Sequence, residues 1–383
     1  MQAAALVLGA AVVGTLAWGD RTLALPLAMA FPALWGIAPT RIVAAAIAVA
    51  YFLAASRGLP QGVANFYGSG LLWGGVLWIG ASLAFVGAYA ALWSPRPGWR
   101  RAGRFGAASI LMAVPPLGIV GWAHPLTAAG VLFPGWGWTG LAAAAGGMLA
   151  LTTRMWPAAA AALCAAWLWS AASWTTPSVP DAWTGVDMTM GAALGRRTDL
   201  EQHRELLAKV RRRAESGGKI VVMPESTLGL WTPTVERFWN DALRGAGIVV
   251  IAGAAVVDRQ GYDNVLVEIG DDEPRIVYRE RMPVPVSMWQ PWLAWFGKGG
   301  SARAHLFANP VVTVQGRRLA PLICYEQLLL WPVLQSMLHA PDVIVATGNG
   351  WWTAGTSIVG IQRASVQAWS RLFDRPLVTA FNL

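Results

Sequence analysis

Acidic residues and lysine are nearly missing from the first half of this chain. Before Asp181 there is one carboxylate, Asp20, and no lysine; the positive charges there are eight arginines, Arg21, Arg41, Arg57, Arg96, Arg100, Arg101, Arg104 and Arg154. Such a half is a poor candidate for an ion or proton pathway, because transporters and pumps keep ionisable groups inside their spans. Histidine is scarce as well: His124, His203, His305 and His339 show no ligand spacing. With no phosphate-cradling glycine loop either, neither a metal nor any other cofactor is expected. Cysteine is limited to Cys164 and Cys324, which excludes a disulfide framework. The net charge of +9 comes largely from arginines dispersed between apolar stretches. Nucleic acid is therefore not an expected partner, since that would require a basic patch on one folded face.

The apolar stretches themselves dominate residues 1–175. Those near 2–19, 22–39, 42–56, 68–93, 106–123, 136–153 and 156–174 read as about seven spans, a straight span needing roughly 20 residues. Their glycine and alanine suit close helix packing. Cytoplasmic loops collect arginine, so the cluster from Arg96 to Arg104 is placed inside and the last span exits outward. This makes the lipid bilayer a partner. It puts the remainder, residues 176–383, in the periplasm, anchored to a bacterial inner membrane. The linker Thr175-Thr176-Pro177-Ser178-Val179-Pro180-Asp181 marks the boundary.

Beyond the linker the texture changes to strands alternating with helices. Leu200 to Ala214 carries Leu206, Leu207 and Val210 at helical spacing, and Gly217-Gly218 ends it. Ile220 to Met223 reads as a buried strand. A helix follows from Pro233 to Arg244, then a strand at Ile248 to Ala252. A separate hairpin is expected from Ala254 to Asp258 and Asn264 to Ile269, turning at Asp258-Arg259-Gln260-Gly261. Further strands are expected at Val277 to Arg279, Val311 to Val314, Ala320 to Cys324 and Val343 to Thr347, with helices at Gln327 to Leu338 and Gly360 to Phe373. The pattern predicts an α/β sandwich.

Two residues carry chemistry. Cys324 is a lone thiol on the side of the chain expected to face an oxidising compartment, where unpaired cysteine points to a reactive group. Taken alone, a small buried hydrophobe at a strand end would be the better reading. Glu225 ends the strand Ile220 to Met223 just after Pro224, where a carboxylate either caps a turn or serves a site. Together a thiol and a carboxyl make a nucleophile and its base.

The order of motifs resembles the nitrilase (carbon–nitrogen hydrolase) superfamily, and with the apolar half it resembles apolipoprotein N-acyltransferases. Val222-Met223-Pro224-Glu225, Ile323-Cys324-Tyr325-Glu326 and Arg371-Leu372-Phe373-Asp374-Arg375-Pro376-Leu377 carry the resemblance, and Phe133-Pro134-Gly135-Trp136 is similar to that family's outer aromatic loop. Met282-Pro283-Val284-Pro285-Val286-Ser287-Met288-Trp289 is more similar to TraB-type conjugal transfer proteins, a divergent branch. The resemblance implies a polytopic helical membrane bundle followed by a nitrilase-like α-β-β-α sandwich. It implies a cysteine thioester at Cys324, with Glu225 as base and acid and Glu326 supporting the site. It assigns Tyr325, Asn349, Trp351 and Trp289 to the substrate side. The implied partners are a phospholipid or lipidated protein and components of a conjugation machinery.

The chain also departs from that pattern. The family's oxyanion-stabilising lysine falls on Glu280, and its second active-site glutamate falls on Met288. Only Lys209, Lys219 and Lys298 exist in the chain, and none lies close after Tyr278. Arg279 or Arg281 is the expected substitute, Arg281 being the better candidate if the strand ends there and its side chain swings inward. The chain stops at Asn382-Leu383, short of the outer strands and final span of the acyltransferases. Two readings stay open: an acyl-transfer or amide enzyme, and a degenerate member that acts as a structural part of a mating apparatus.

Overall fold

The computed structural model describes residues 1–193, 199–297 and 299–383; Lys298 lies outside the described residues. The chain forms two compact units. The first comprises residues 1–177, 328–331 and 355–374, and the second residues 178–327, 332–354 and 375–383.

The first unit is helical. It contains α1 (Gln2–Ala17), a 3-10 segment at Thr22–Met29 running into α2 (Ala30–Gly36), α3 (Arg41–Ala55), α4 (Leu59–Tyr67), α5 (Leu71–Ala91), α6 (Trp99–Ala113), α7 (Ala129–Leu132), α8 (Gly137–Leu151) and α9 (Trp156–Ala172). Thr40 caps α3 by accepting from the Val43 amide at 3.3 Å, and Gly68 closes α4 with φ +60, a conformation that suits glycine. Its core is aromatic: Phe31 stacks on Tyr51 at 4.4 Å and meets Tyr89 edge-on at 5.1 Å. Among the described residues one helix, α5, is long and apolar enough to cross a membrane. The α3–α4 pair, bent by 50°, would make a second if taken together. The other apolar helices run to 17 residues at most, below the roughly 20 that a straight span requires.

The stretch 106–123 is not the single helix expected from hydropathy. The helix starts earlier, at Trp99, and takes in Arg100, Arg101 and Arg104; it ends at Ala113, just before Pro115-Pro116, because proline cannot continue a helix and disfavours it in the residue before. Arg101 is tied to backbone carbonyls of Ser94 (2.9 Å), Pro95 (2.8 Å) and Gly36.

The second unit contains β1 (Trp183–Gly185), α10 (Leu200–Glu215), β2 (Ile220–Val222), α11 (Pro233–Leu243), β3 (Val249–Val257), β4 (Tyr262–Ile269), β5 (Arg275–Arg279), β6 (Val312–Val314), β7 (Arg317–Ile323), most of α12 (Leu330–Met337), β8 (Val343–Asn349) and β9 (Leu377–Asn382). The last helix, α13 (Ile358–Phe373), groups with the first unit. There Arg371 lies 3.6 Å over the Trp174 ring and donates to Ser170 Oγ at 3.0 Å.

Among the described residues the strands form two sheets, ordered β1-β2-β3-β4-β5 and β6-β7-β8-β9. In the first, β1, β2 and β3 are parallel and β3, β4 and β5 antiparallel. In the second, β7, β8 and β9 are parallel and β6 is antiparallel. Side chains alternate along a strand, and the cores follow that rule. Val221, Val250, Val265 and Val267 pack on Leu206, Val210, Trp239 and Leu243 of the helices. Val222, Ile251 and Leu266 share the other core with Leu319, Ile323, Val343 and Val345 of the second sheet.

β3 is one strand of nine residues, not the expected strand followed by a separate hairpin arm. Gly253, between the expected strand and the expected arm, lies inside the strand, where it has no room for a side chain. A Cβ there would lie 2.5 Å from the Glu225 Cα.

Candidate active site

Glu225, Cys324 and Asn349 stand at or just past the carboxyl ends of β2, β7 and β8. In open α/β sheets this is where ligands bind. The backbone bends sharply at two of these ends. Cys324 has φ +45 and Ser226, directly after Glu225, has φ +62. Non-glycine residues held in that region store strain of about 1–3 kcal/mol, and such strain gathers at active sites. Gln327 fixes the β7–β8 ends together by donating to the Leu322 (3.1 Å) and Thr347 (2.8 Å) carbonyls.

The Cys324 thiol and the Glu225 carboxyl form a hydrogen bond. Glu225 also accepts from Asn264 Nδ2 at 2.7 Å and from the Asn349 backbone amide at 3.0 Å. It is only 3 % exposed. Burial, aided by the Glu326 charge and opposed by these hydrogen bonds, pushes its pKa up to about 7. A carboxyl poised there accepts a thiol proton and returns it at neutral pH.

Two further carboxyls are fully buried nearby, Glu280 and Glu326. Glu326 accepts from the Tyr278 hydroxyl at 2.7 Å and from the backbone amides of Arg281 (2.6 Å), Met282 (3.3 Å) and Ile323 (2.7 Å). Burial raises its pKa and Arg281 pulls it back down. It holds the turn that carries Cys324, which is a positioning task.

Arg281 requires a correction. β5 ends at Arg279 and the Arg281 side chain does turn inward, but its guanidinium is consumed there. Nε donates to the Tyr278 hydroxyl (2.9 Å), Nη1 to the Pro332 carbonyl (2.9 Å) and Gln335 Oε1 (3.1 Å), and Nη2 to the Pro321 carbonyl (3.3 Å) and Ser336 Oγ (3.1 Å). Guanidinium has five N–H donors, so none is left for an oxyanion. Arg281 is a core clamp, 3.7 Å from Glu326.

Glu280 behaves differently. Its amide donates to the Asn264 carbonyl at 2.8 Å, and its Oε2 accepts from Asn264 Nδ2 at 2.8 Å. One amide group thus bridges Glu225 and Glu280. Burial first, then the charges of Glu225 and Glu326, push the Glu280 pKa well above the ordinary carboxyl range.

Of the substrate-side residues, Asn349 joins the cluster through its backbone, and its Oδ1 accepts from Asn382 Nδ2 at 2.8 Å. Trp351 opens a 3-10 turn directly after Asn349-Gly350. Tyr325 is half-buried beside Cys324. Trp289 is held in its own loop by backbone bonds with Val284 (3.0 Å) and Val286 (3.1 Å). Asn264 and Gly253 are the site residues that sequence reasoning missed. The available signal was an asparagine within β4 on the face that carries Leu266.

The carbon-nitrogen hydrolase family model matches residues 53–371. The chain belongs to the carbon-nitrogen hydrolase family. It is 57% identical over 391 residues to the conjugal transfer protein TraB of Agrobacterium fabrum, covering 100% of this chain and 93% of that protein. It is 58% identical over 382 residues to a probable conjugal transfer protein TraB of Sinorhizobium fredii, covering 100% and 98%. Among solved structures, a mutant of the Nesterenkonia AN1 amidase from the nitrilase superfamily matches at 12% identity and TM-score 0.39, over 53% of this chain and 78% of that one. This family member, a homologue of the TraB proteins, therefore carries its cysteine and its strand-end glutamate in hydrogen-bond contact.

Proposed function

We propose that this carbon-nitrogen hydrolase family protein is a membrane-bound enzyme of plasmid conjugation that forms a thioester on Cys324. Glu225 takes the thiol proton, and the thiolate attacks the carbonyl carbon of an acyl donor. The C–N or C–O bond of the donor breaks, and its leaving group departs with the proton from Glu225. Water or an amine, deprotonated by Glu225, then attacks the thioester and releases Cys324 with its proton restored. The observation that carries this reading is the Cys324–Glu225 hydrogen bond with the Glu225 carboxyl raised to about 7.

The apolar first unit, with α5 of bilayer length, supports placing the substrate at a membrane, as a phospholipid or a lipidated protein. The arginine cluster from Arg96 to Arg104 supports a periplasmic α/β domain, and the expected inner-membrane bundle of about seven spans belongs to the same proposal. The TraB homologues support a role beside conjugation components.

The test is plasmid transfer by a strain in which the gene is deleted and then restored with Cys324→Ala or Glu225→Gln. Transfer at wild-type frequency with both variants, when deletion lowers it, would end the enzymatic reading and leave a structural role in the mating apparatus.

A further inference from the structure

The Asn264 amide donates one N–H to Glu225 Oε1 and the other to Glu280 Oε2. Both carboxyls are buried, and among the described residues no arginine, lysine or histidine is paired with either. Two anions bridged by one neutral amide cannot both persist away from water, so a proton must reside in the pair. Glu225 already takes hydrogen bonds at both oxygens, from Asn264 and from the Asn349 amide. Glu280 does not: its Oε1 is buried and has no hydrogen-bond partner among the described residues. A hydroxyl at Oε1 is therefore a donor without an acceptor, which costs roughly 1–3 kcal/mol as long as it stays unmet.

We propose that Glu280 donates a hydrogen bond through its Oε1 hydroxyl to the acyl oxygen of the substrate as Cys324 attacks it. This deepens the thioester reading above and rests on it. The acyl oxygen becomes an oxyanion in the tetrahedral intermediate, and a preorganised donor in a dry site stabilises that charge more than it stabilises the ground-state carbonyl. The proton stays on Glu280 throughout; the thiol proton travels by way of Glu225. Arg281 offers no alternative, since all five of its donors are taken. The groups facing Glu280 are Glu225, Glu326 and Tyr262. Each is neutral or anionic, so each favours the protonated acid. A carboxylic acid thus stands where a cation would be expected, and it can act only while uncharged.

The experiment separates carbonyl chemistry from thiol reactivity. Full-length protein carrying Cys164→Ser, in detergent micelles, is acylated with p-nitrophenyl acetate and, separately, alkylated with iodoacetamide. Both second-order rates at Cys324 are measured. Alkylation passes through no oxyanion, so the acylation-to-alkylation ratio isolates the donor and shows at once that a variant is folded with its thiol reachable. Glu280→Leu should lower that ratio on the order of a hundredfold. Glu280→Gln, which keeps an N–H donor at the same place, should recover most of it. The ratio should fall with rising pH in the wild type and stay flat in Glu280→Gln. A wild-type ratio in Glu280→Leu would overturn the proposal while leaving the thioester reading intact. A wild-type protein that is alkylated but never acylated would overturn both.

Discussion

In the helical unit, buried aromatic side chains bond to neutral partners. Trp18 Nε1 donates to the Tyr51 hydroxyl at 2.8 Å, which donates on to the Ala123 carbonyl at 2.9 Å, and Trp35 Nε1 donates to the Tyr89 carbonyl at 3.1 Å. In the α/β unit, three glutamates and an arginine are buried at 3 % exposure or less. One of those glutamates retains an oxygen with no partner among the described residues. The first arrangement lowers free energy by filling space and pairing neutral dipoles. The second holds desolvated carboxyls next to one another, which fold stability alone does not favour. A fold keeps such a cluster only where ordering of a strained turn, or chemistry, depends on it. The contrast sets a buried carboxyl cluster in the α/β unit against an aromatic core in the helical one.

The largest expected effect is on chemistry. Cys324→Ala should abolish covalent acylation. Glu225→Gln should slow it by about 10²–10⁴-fold, the usual worth of a positioned base. Acylation in the wild type should rise as pH passes through about 7, since the base must be ionised to accept the thiol proton. A flat pH–rate profile for single-turnover acylation would remove Glu225 from the role.

Next come two truncations of similar size and different character. Arg281→Ala strips five hydrogen bonds from the core and leaves Glu326 buried without its cation. It should lower unfolding free energy by about 3–5 kcal/mol. Phe31→Ala in the aromatic core of the other unit should cost about 3–5 kcal/mol as well, through the cavity it leaves. Denaturant unfolding in detergent distinguishes them. The Arg281 loss should be partly recovered when Glu326 is also replaced by Leu, whereas no charge change should recover Phe31→Ala. Equal non-recovery in both would erase the contrast between the units.

A smaller effect is expected from Glu280→Gln. The folded-state pKa of Glu280 lies above its unfolded value, so the stability this group contributes is complete below about pH 4.5. It is lost as pH rises through the raised folded value. Glutamine cannot ionise, so the variant should gain stability relative to wild type with rising pH, by up to about 1.4 kcal/mol per pH unit. Melting curves between pH 6 and 9 that run parallel would show that Glu280 titrates normally. The smallest change should come from Trp295→Ser, because Trp295 is 83 % exposed. Its unfolding free energy should stay within about 0.5 kcal/mol of wild type. A larger loss would reveal packing that its exposure does not show.

Much of the site was legible before the fold. Cys324 and Glu225 stood out because a polar residue after a short apolar run marks the end of a buried strand, and strand ends are where α/β folds gather chemistry. Asn264 was not legible, since its importance lies in reaching two glutamates 39 and 16 residues away. Arg281 was legible as a residue that could turn inward, but not as one whose donors are all consumed. Its partners Pro321, Pro332, Gln335 and Ser336 lie far along the chain. The close approach of the Glu225 backbone explains the place of Gly253 in a continuous β3, and no pattern in the sequence shows that approach. Hydropathy found the apolar segments of the first half but not their helix lengths, because it weighs composition and is blind to a break such as Pro115-Pro116.

The sequence alone determined what depends on neighbours in the chain: the strand and helix periods, and the strand ends that carry Cys324 and Glu225. The tertiary structure decided what depends on distance through space. Packing buries Glu225, Glu280 and Glu326 together; burial raises the pKa of all three, and carboxylate repulsion adds to it at Glu225 and Glu280. The same packing spends the Arg281 donors and leaves Glu280 Oε1 unmet. A carboxylate in sequence thereby becomes a carboxylic acid in the fold, because the free energy of ionisation is set by the surroundings and not by the residue.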